Sequence, residues 1–171
     1  MYLLNDIGFI AHPKTGSQSA AACLMELGFE ECGNHHEIRE PWLTGLRIIG
    51  ATVRNPWDTV VSWYFHYHSV IPKFPLFETW FDGWITNTNR LVQQGLFFGL
   101  PYATHVLHFE NLDADWAAFL KDAGLPHTSL PHRNVGHFRN GRHYREFYDH
   151  RRKERVREKF TAIIKQLDYE F

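Results

Sequence analysis

Cysteine is scarce in this chain: Cys23 and Cys32 are the only two among 171 residues. They do not form a CxxC pair, so neither a disulfide framework nor a zinc knuckle is suggested. An excess of charge of one sign is also missing. Eighteen Lys and Arg oppose nineteen Asp and Glu, a formal net charge of −1, so no global field draws the protein to nucleic acid or to a membrane. No apolar stretch approaches the roughly 18 residues that a membrane span requires. The opening MYLLNDIGFI lacks the basic n-region and long apolar core of a signal peptide, and the expected setting is cytoplasmic. Metal-ligand spacing is absent too. The twelve histidines are scattered, with no HExxH pattern, and His66 and His68, two apart, point to different faces of a helix. No metal is expected.

What the chain does hold is apolar and aromatic material, 44% hydrophobic and 16% aromatic. That is enough for one packed domain, spanning 1–171. Short apolar runs alternate with longer amphipathic ones, the pattern of an α/β domain with a parallel sheet. Ile7 to Ala11 reads as the first strand and Ser17 to Leu27 as the first helix, with Gly28 at its C-cap. Arg47 to Val53 is a continuous apolar run, expected of a strand buried on both faces. A helix follows from Trp57 to Ser69 with Pro56 at its first turn, and Pro72 and Pro75 end it. A second helical region, rich in Phe and Trp, spans Leu76 to Gln94. His105 to Phe109 reads as a further strand, and Ala114 to Ala123 as a helix with Asp113 to cap it and Gly124 to close it. Pro126 to Asn140 reads as loop. Asp149 to Gln166 reads as the last helix, with Val156, Phe160, Ile163 and Ile164 on one stripe.

Directly behind the first apolar run stands HPKTGSQS, His12 to Ser19. A strand, a tight turn around Gly16 and an alanine-rich helical start make a phosphate cradle. Backbone N–H groups at a helix N-terminus point at an anion, and the partial positive charge there favours it. Lys14 adds a full charge, and Thr15, Ser17 and Ser19 add hydroxyl donors. The Walker pattern places its lysine after the second glycine, whereas Lys14 precedes the only glycine of this loop. A phosphorylated ligand is expected, held otherwise than in an ordinary ATPase or GTPase.

A second segment, VRNPWDTVVSWY from Val53 to Tyr64, follows the next apolar strand, where a ligand-contacting loop is expected in an open α/β sheet. Arg54 at the strand end and Ser62 on the helix suit a second phosphate, distant from the Lys14 loop. The alternative for Arg54 is an ion pair with Asp58 one turn on. The two segments together resemble the sulfotransferases that use 3′-phosphoadenosine 5′-phosphosulfate (PAPS). In that family a PKTG-type loop holds the 5′-phosphosulfate and an R-N/D-P…S segment holds the 3′-phosphate. HFENLDADWAAFLKDAGLPHTSLPHRN resembles the family's R-[FY]-E-[ND]-L…D…L…LG segment, and YREFYDHRRKERVREKF…LDYEF its C-terminal Y-x-x-x-Y-D helix and closing Tyr-x-Phe. NHHEIRE, Asn34 to Glu40, resembles the K-H-x-x-x-R-E segment of the carbohydrate-type branch.

The resemblance implies a three-layer, P-loop-NTPase-like α/β fold with a central, mostly parallel sheet flanked by helices. It implies sulfuryl transfer from PAPS to a hydroxyl or amine of a glycan or small molecule, leaving adenosine 3′,5′-bisphosphate (PAP) and needing no metal. On that resemblance Lys14 is the expected electrophile for the leaving oxygen, and Lys14, Thr15, Gly16, Ser17, Gln18 and Ser19 are expected to hold the donor. Gln18 stands where many members carry Thr or Ser. The resemblance also implies that Arg54, Ser62 and Arg139, the last from the basic loop with Arg133 and Arg142, would hold the 3′-phosphate. His35 matches the family histidine as general base, with His36 one residue off and Glu37 the carboxylate alternative; an ordinary polar loop explains the pair equally well. The charge run Arg151 to Lys159 reads as a solvated helix face. Trp57, Trp63, Tyr64, Phe65, Phe74, Phe77, Trp80, Phe81 and Trp84 could form an acceptor platform, though most such residues are core, and acceptor specificity is expected between Ile71 and Gly99. Two rival readings stand beside transfer: a P-loop-like kinase or hydrolase requiring Mg²⁺, and a non-catalytic module that binds PAP or PAPS.

Overall fold

The polypeptide pairs with itself within its first ten residues: β1 (Tyr2–Leu4) turns back through Asn5 and Asp6 onto β2 (Ile7–Ile10), with Leu4 opposite Ile7. The computed structural model describes residues 1–34, 36–87, 99–131 and 139–171. Three further strands are β3 (Glu30–Glu31), β4 (Ile48–Val53) and β5 (His105–His108). Six α-helices lie among the described residues: α1 (Ser17–Glu26), α2 (Pro56–Val70), α3 (Phe77–Asn87), α4 (Leu112–Ala123), α5 (His150–Lys159) and α6 (Thr161–Gln166). The chain gathers into two compact units, Met1–Arg54 with Gln94–Arg133 and Asn55–Gln93 with Asn134–Phe171.

The first unit holds the whole sheet, in the order β3-β1-β2-β4-β5. β1 is antiparallel to both β2 and β3, whereas β2–β4 and β4–β5 are parallel. The expected three-layer, P-loop-NTPase-like architecture with a central, mostly parallel sheet is therefore overturned: the sheet is mixed, and its strands are only two to six residues long. The cause is local. A two-residue turn lets β1 pair at once with β2, while a parallel neighbour needs a crossover of a dozen residues or more. Asn5 adopts φ 54° in that turn, and Tyr2 is 1% exposed, so burial of β1 reinforces the hairpin.

β4 is buried along its full length, as expected of a run that is apolar but for Thr52. Phe9 on β2 meets Trp116 and Phe119 of α4 edge-on, with ring centroids 5.6 and 5.4 Å away. Gly50 permits this. A Cβ there would stand 2.8 Å from both the Phe9 and Phe119 rings. α1 covers the same core with Ala20, Cys23 and Leu24.

In the second unit, Asn55 caps α2 by accepting from the Trp57 and Asp58 amides, with Pro56 at the first turn. The core is aromatic. Trp57, Tyr144 and Tyr148 each present an edge-on contact to Phe171, and the Tyr148 hydroxyl donates to the Trp57 carbonyl at 2.8 Å. Burial pushes that hydroxyl well above its ordinary pKa of 10, so it stays a donor. The single terminal helix expected from Asp149 to Gln166 divides at buried Phe160, whose backbone leaves helical values (φ −110°, ψ 22°). Of the helical region expected from Leu76 to Gln94, α3 covers Phe77–Asn87, and 88–94 lie outside the described residues. Among the described residues no helix is long and apolar enough to cross a membrane.

Candidate functional site

The loop after β2 is pinned to β4 by a closed set of hydrogen bonds. The Nδ1 of His12 lies 2.6 Å from the Thr52 carbonyl. A carbonyl only accepts, so Nδ1 carries the proton. The Thr15 hydroxyl donates to the His12 carbonyl at 2.6 Å, which uses its one hydrogen. The Thr52 hydroxyl, 2.6 Å from the Thr15 oxygen, must therefore be the donor of that pair. His12, Thr15 and Thr52 are all buried, and unmade bonds there would cost about 1–3 kcal/mol each.

This brace holds an uncommon backbone. Lys14 has φ 66°, rare for a residue with a Cβ, and Gly16 follows with φ 79°. A Cβ on Gly16 would meet Leu112 Cδ2 at 2.7 Å. Arg54 supports the turn from the end of β4: its Nη1 donates to the Lys14 carbonyl at 2.9 Å, and its guanidinium lies 3.9 Å over the Phe109 ring. α1 then starts with no side-chain cap and no acidic residue in its first turn, so its N-terminal positive potential stands beside Lys14 uncompensated by a carboxylate of its own.

His36 joins this site. Its Nδ1 lies 2.6 Å from the Ala11 carbonyl, the residue that leads into the loop. Nδ1 is thus the protonated nitrogen of the neutral ring and Nε2 the basic one. Although the residue is exposed overall, the bonded edge is sheltered. Desolvation holds its pKa below the ordinary 6.5 against the opposing effect of the Ala11 bond, and the nearby Lys14 charge lowers it further. Glu37 is occupied differently. It accepts from the Asn34 amide and the Arg39 guanidinium, which lower its pKa in that order.

Of the residues expected to hold the donor, Lys14 is half-buried, Gln18 exposed, and Ser17 and Ser19 buried at the start of α1. Thr15 serves the loop itself through its hydroxyl. Arg54, expected at a second phosphate distant from the loop, is placed on the Lys14 carbonyl. Ser62 is half-buried on α2 in the second unit. Arg139 belongs to that unit too, where its Nη2 lies 2.6 Å from Asp58 Oδ1. His35 and Arg133 lie outside the described residues. Thr52 and Phe109 had no role expected of them; the only sequence signal for Thr52 is a hydroxyl residue near the end of an otherwise apolar run. Of the aromatic set, Trp57, Tyr64, Phe77 and Phe81 are buried core, whereas Trp63, Phe65, Phe74, Trp80 and Trp84 are half-buried.

Among the described residues no group of three or more His, Cys, Asp or Glu could hold a metal ion. No protein-family model, curated protein or solved structure matches the chain.

Proposed function

We propose that the chain transfers a sulfuryl group from PAPS to a hydroxyl or amine of a carbohydrate or small-molecule acceptor. One observation carries this reading: the Lys14 turn, the uncapped N-terminus of α1 and the Nδ1-anchored ring of His36 converge on one end of β2. The donor set fits a phosphosulfate. It offers a lysine and helix amides, with no carboxylate in the first turn to repel the anion.

In the proposed step the acceptor oxygen forms a bond to sulfur while the bond from sulfur to the 5′-phosphate oxygen breaks. The acceptor proton passes to Nε2 of His36, and PAP departs with its new negative charge next to Lys14 and the α1 amides. Lys14 acts electrostatically, where a preorganised charge is worth most. His36 is proposed as the base in place of His35, because its ring is held in the tautomer the task needs and its lowered pKa keeps it neutral near pH 7. Arg54 is a positioning residue, acting through the Lys14 carbonyl.

Calorimetry separates this from nucleotide phosphoryl transfer. PAP is expected to bind without Mg²⁺ and more tightly than ADP or ATP with it; preference for ATP with Mg²⁺ overturns the proposal. Labelled PAPS offered with a panel of glycans and small alcohols then tests turnover. Intact PAP binding with no transfer to any acceptor would leave a binding module.

A further inference from the structure

Five large apolar side chains are conspicuously exposed among the described residues, and three of them, Val70 (62%) at the last position of α2 and Ile71 (44%) and Leu76 (75%) in the turn that leads to α3, lie close together in sequence. The turn is built. Ile71 N–H donates to the Tyr67 carbonyl, the Tyr64 hydroxyl to the Pro75 carbonyl at 3.2 Å, and Trp80 N–H to the Leu76 carbonyl. Pro72 and Pro75 restrict its backbone, and Lys73 holds φ 54° between them. Its apolar side chains are therefore presented in fixed positions, with little ordering left to do on binding.

Behind the tip lies a shoulder of half-buried rings. Tyr67 stacks on Phe74 and Trp80 on Trp84, with interplanar angles of 28° and 26°. Trp and Tyr rings of this kind, apolar in body with one polar group, suit the headgroup level of a bilayer. The charge pattern agrees. From Thr59 to Phe77 there is no Asp or Glu, and the only fixed charge of the turn itself is Lys73, with His66 and His68 nearby in sequence; the nearest acid is the exposed Glu78, which opens the first turn of α3.

We infer that the α2–α3 tip inserts into an anionic lipid surface, with Val70, Ile71 and Leu76 entering the acyl boundary and Lys73 meeting the headgroups. A protein partner fits less well. Three side chains on an outward turn present far less than the roughly 800 Å² per partner of a stable interface. With a net charge of −1, long-range attraction is weak, so apolar insertion is the driving term and Lys73 supplies the preference for anionic lipid. The inference does not depend on sulfuryl transfer.

The full chain is sedimented with vesicles of phosphatidylcholine alone and of phosphatidylcholine with phosphatidylserine. Stronger binding to the serine-containing vesicles is expected. Ile71→Asp with Leu76→Asp should weaken it about tenfold or more, without a change in far-UV circular dichroism, because both positions are exposed. Lys73→Glu should remove the preference between the two vesicles. Met25→Asp, at an exposed apolar residue of α1, should change nothing. Failure of the wild type to bind either vesicle overturns the inference, as does equal binding by the double variant. A wild-type dimer that Leu76→Asp converts to monomer overturns it in favour of self-association.

Discussion

The turn after β2 and the turn after α2 each place a lysine at positive φ, Lys14 at 66° and Lys73 at 54°, and they differ in what supports that backbone. Lys14 is held by polar groups: the buried His12, Thr15 and Thr52 bonds on one side and Arg54 on the other. Lys73 is held by prolines and by the Tyr64 hydroxyl, among exposed apolar side chains. One backbone feature thus presents a cation in two settings. Beside a helix N-terminus the lysine adds to a positive field and suits a multivalent anion; on an apolar tip it suits a surface that is greasy and negative together.

The comparison breaks most visibly on turnover. Lys14→Ala is expected to reduce transfer about a hundredfold to a thousandfold, since in the proposed step a preorganised charge at the leaving oxygen is lost, whereas Lys73→Ala should leave transfer to a soluble acceptor unchanged. Near-native turnover of Lys14→Ala would remove the loop from the site. His36→Ala comes next, with a loss of about a hundredfold to ten-thousandfold in kcat. Because the folded ring titrates below 6.5, the acid limb of the wild-type rate profile should lie below pH 6.5 and vanish in the variant. The same depression means that the unfolded chain binds more protons as pH falls. The His36 contribution to stability is therefore present above 6.5 and lost as pH drops through the folded value.

A smaller effect tests the polar brace. Thr52→Val removes the hydroxyl that donates to Thr15 and should cost about 1–2 kcal/mol in denaturant unfolding, with Thr52→Ser recovering most of it. If valine and serine behave alike, the brace is not what holds the Lys14 turn. The smallest change is expected at the other turn. Lys73→Gly relieves a positive φ at the cost of chain entropy, so the unfolding midpoint should shift by less than about 1 kcal/mol equivalent, with relief slightly ahead.

Local elements were largely legible because each has a short-range cause. Asn55-Pro56 begins α2 within a residue of expectation, since the cap and the fixed proline φ act over three residues. Gly124 closes α4 with φ 70°, where a left-handed terminus wants glycine. Arg47 to Val53 reads as a strand and the observed one is Ile48–Val53. At α4 the start was misjudged: Asp113 lies inside the first turn, and Asn111 precedes the helix without a side-chain cap. At Phe160 the continuous apolar stripe hid a break, because periodicity reports which side chains are buried and not whether the backbone between them stays helical.

The sheet was misread for a different reason. Tyr2–Leu4 is three residues long, too short for a periodic signal, yet its pairing makes the sheet mixed. The site divides in the same way. The anion-seeking character of His12 to Ser19 is written in residue types and spacing: a strand, a lysine, a glycine and a helical start. That Thr52 braces the loop, that Arg54 returns to the Lys14 carbonyl, and that His36 is turned to Ala11 are contacts across 25 to 40 residues. Sequence alone determined which short segments could turn, cap and bury themselves, since those preferences act over a few bonds. Tertiary structure alone decided which buried donors found which acceptors, because an unmet polar group inside the fold is costly and its partner is chosen by packing, not by proximity in the chain.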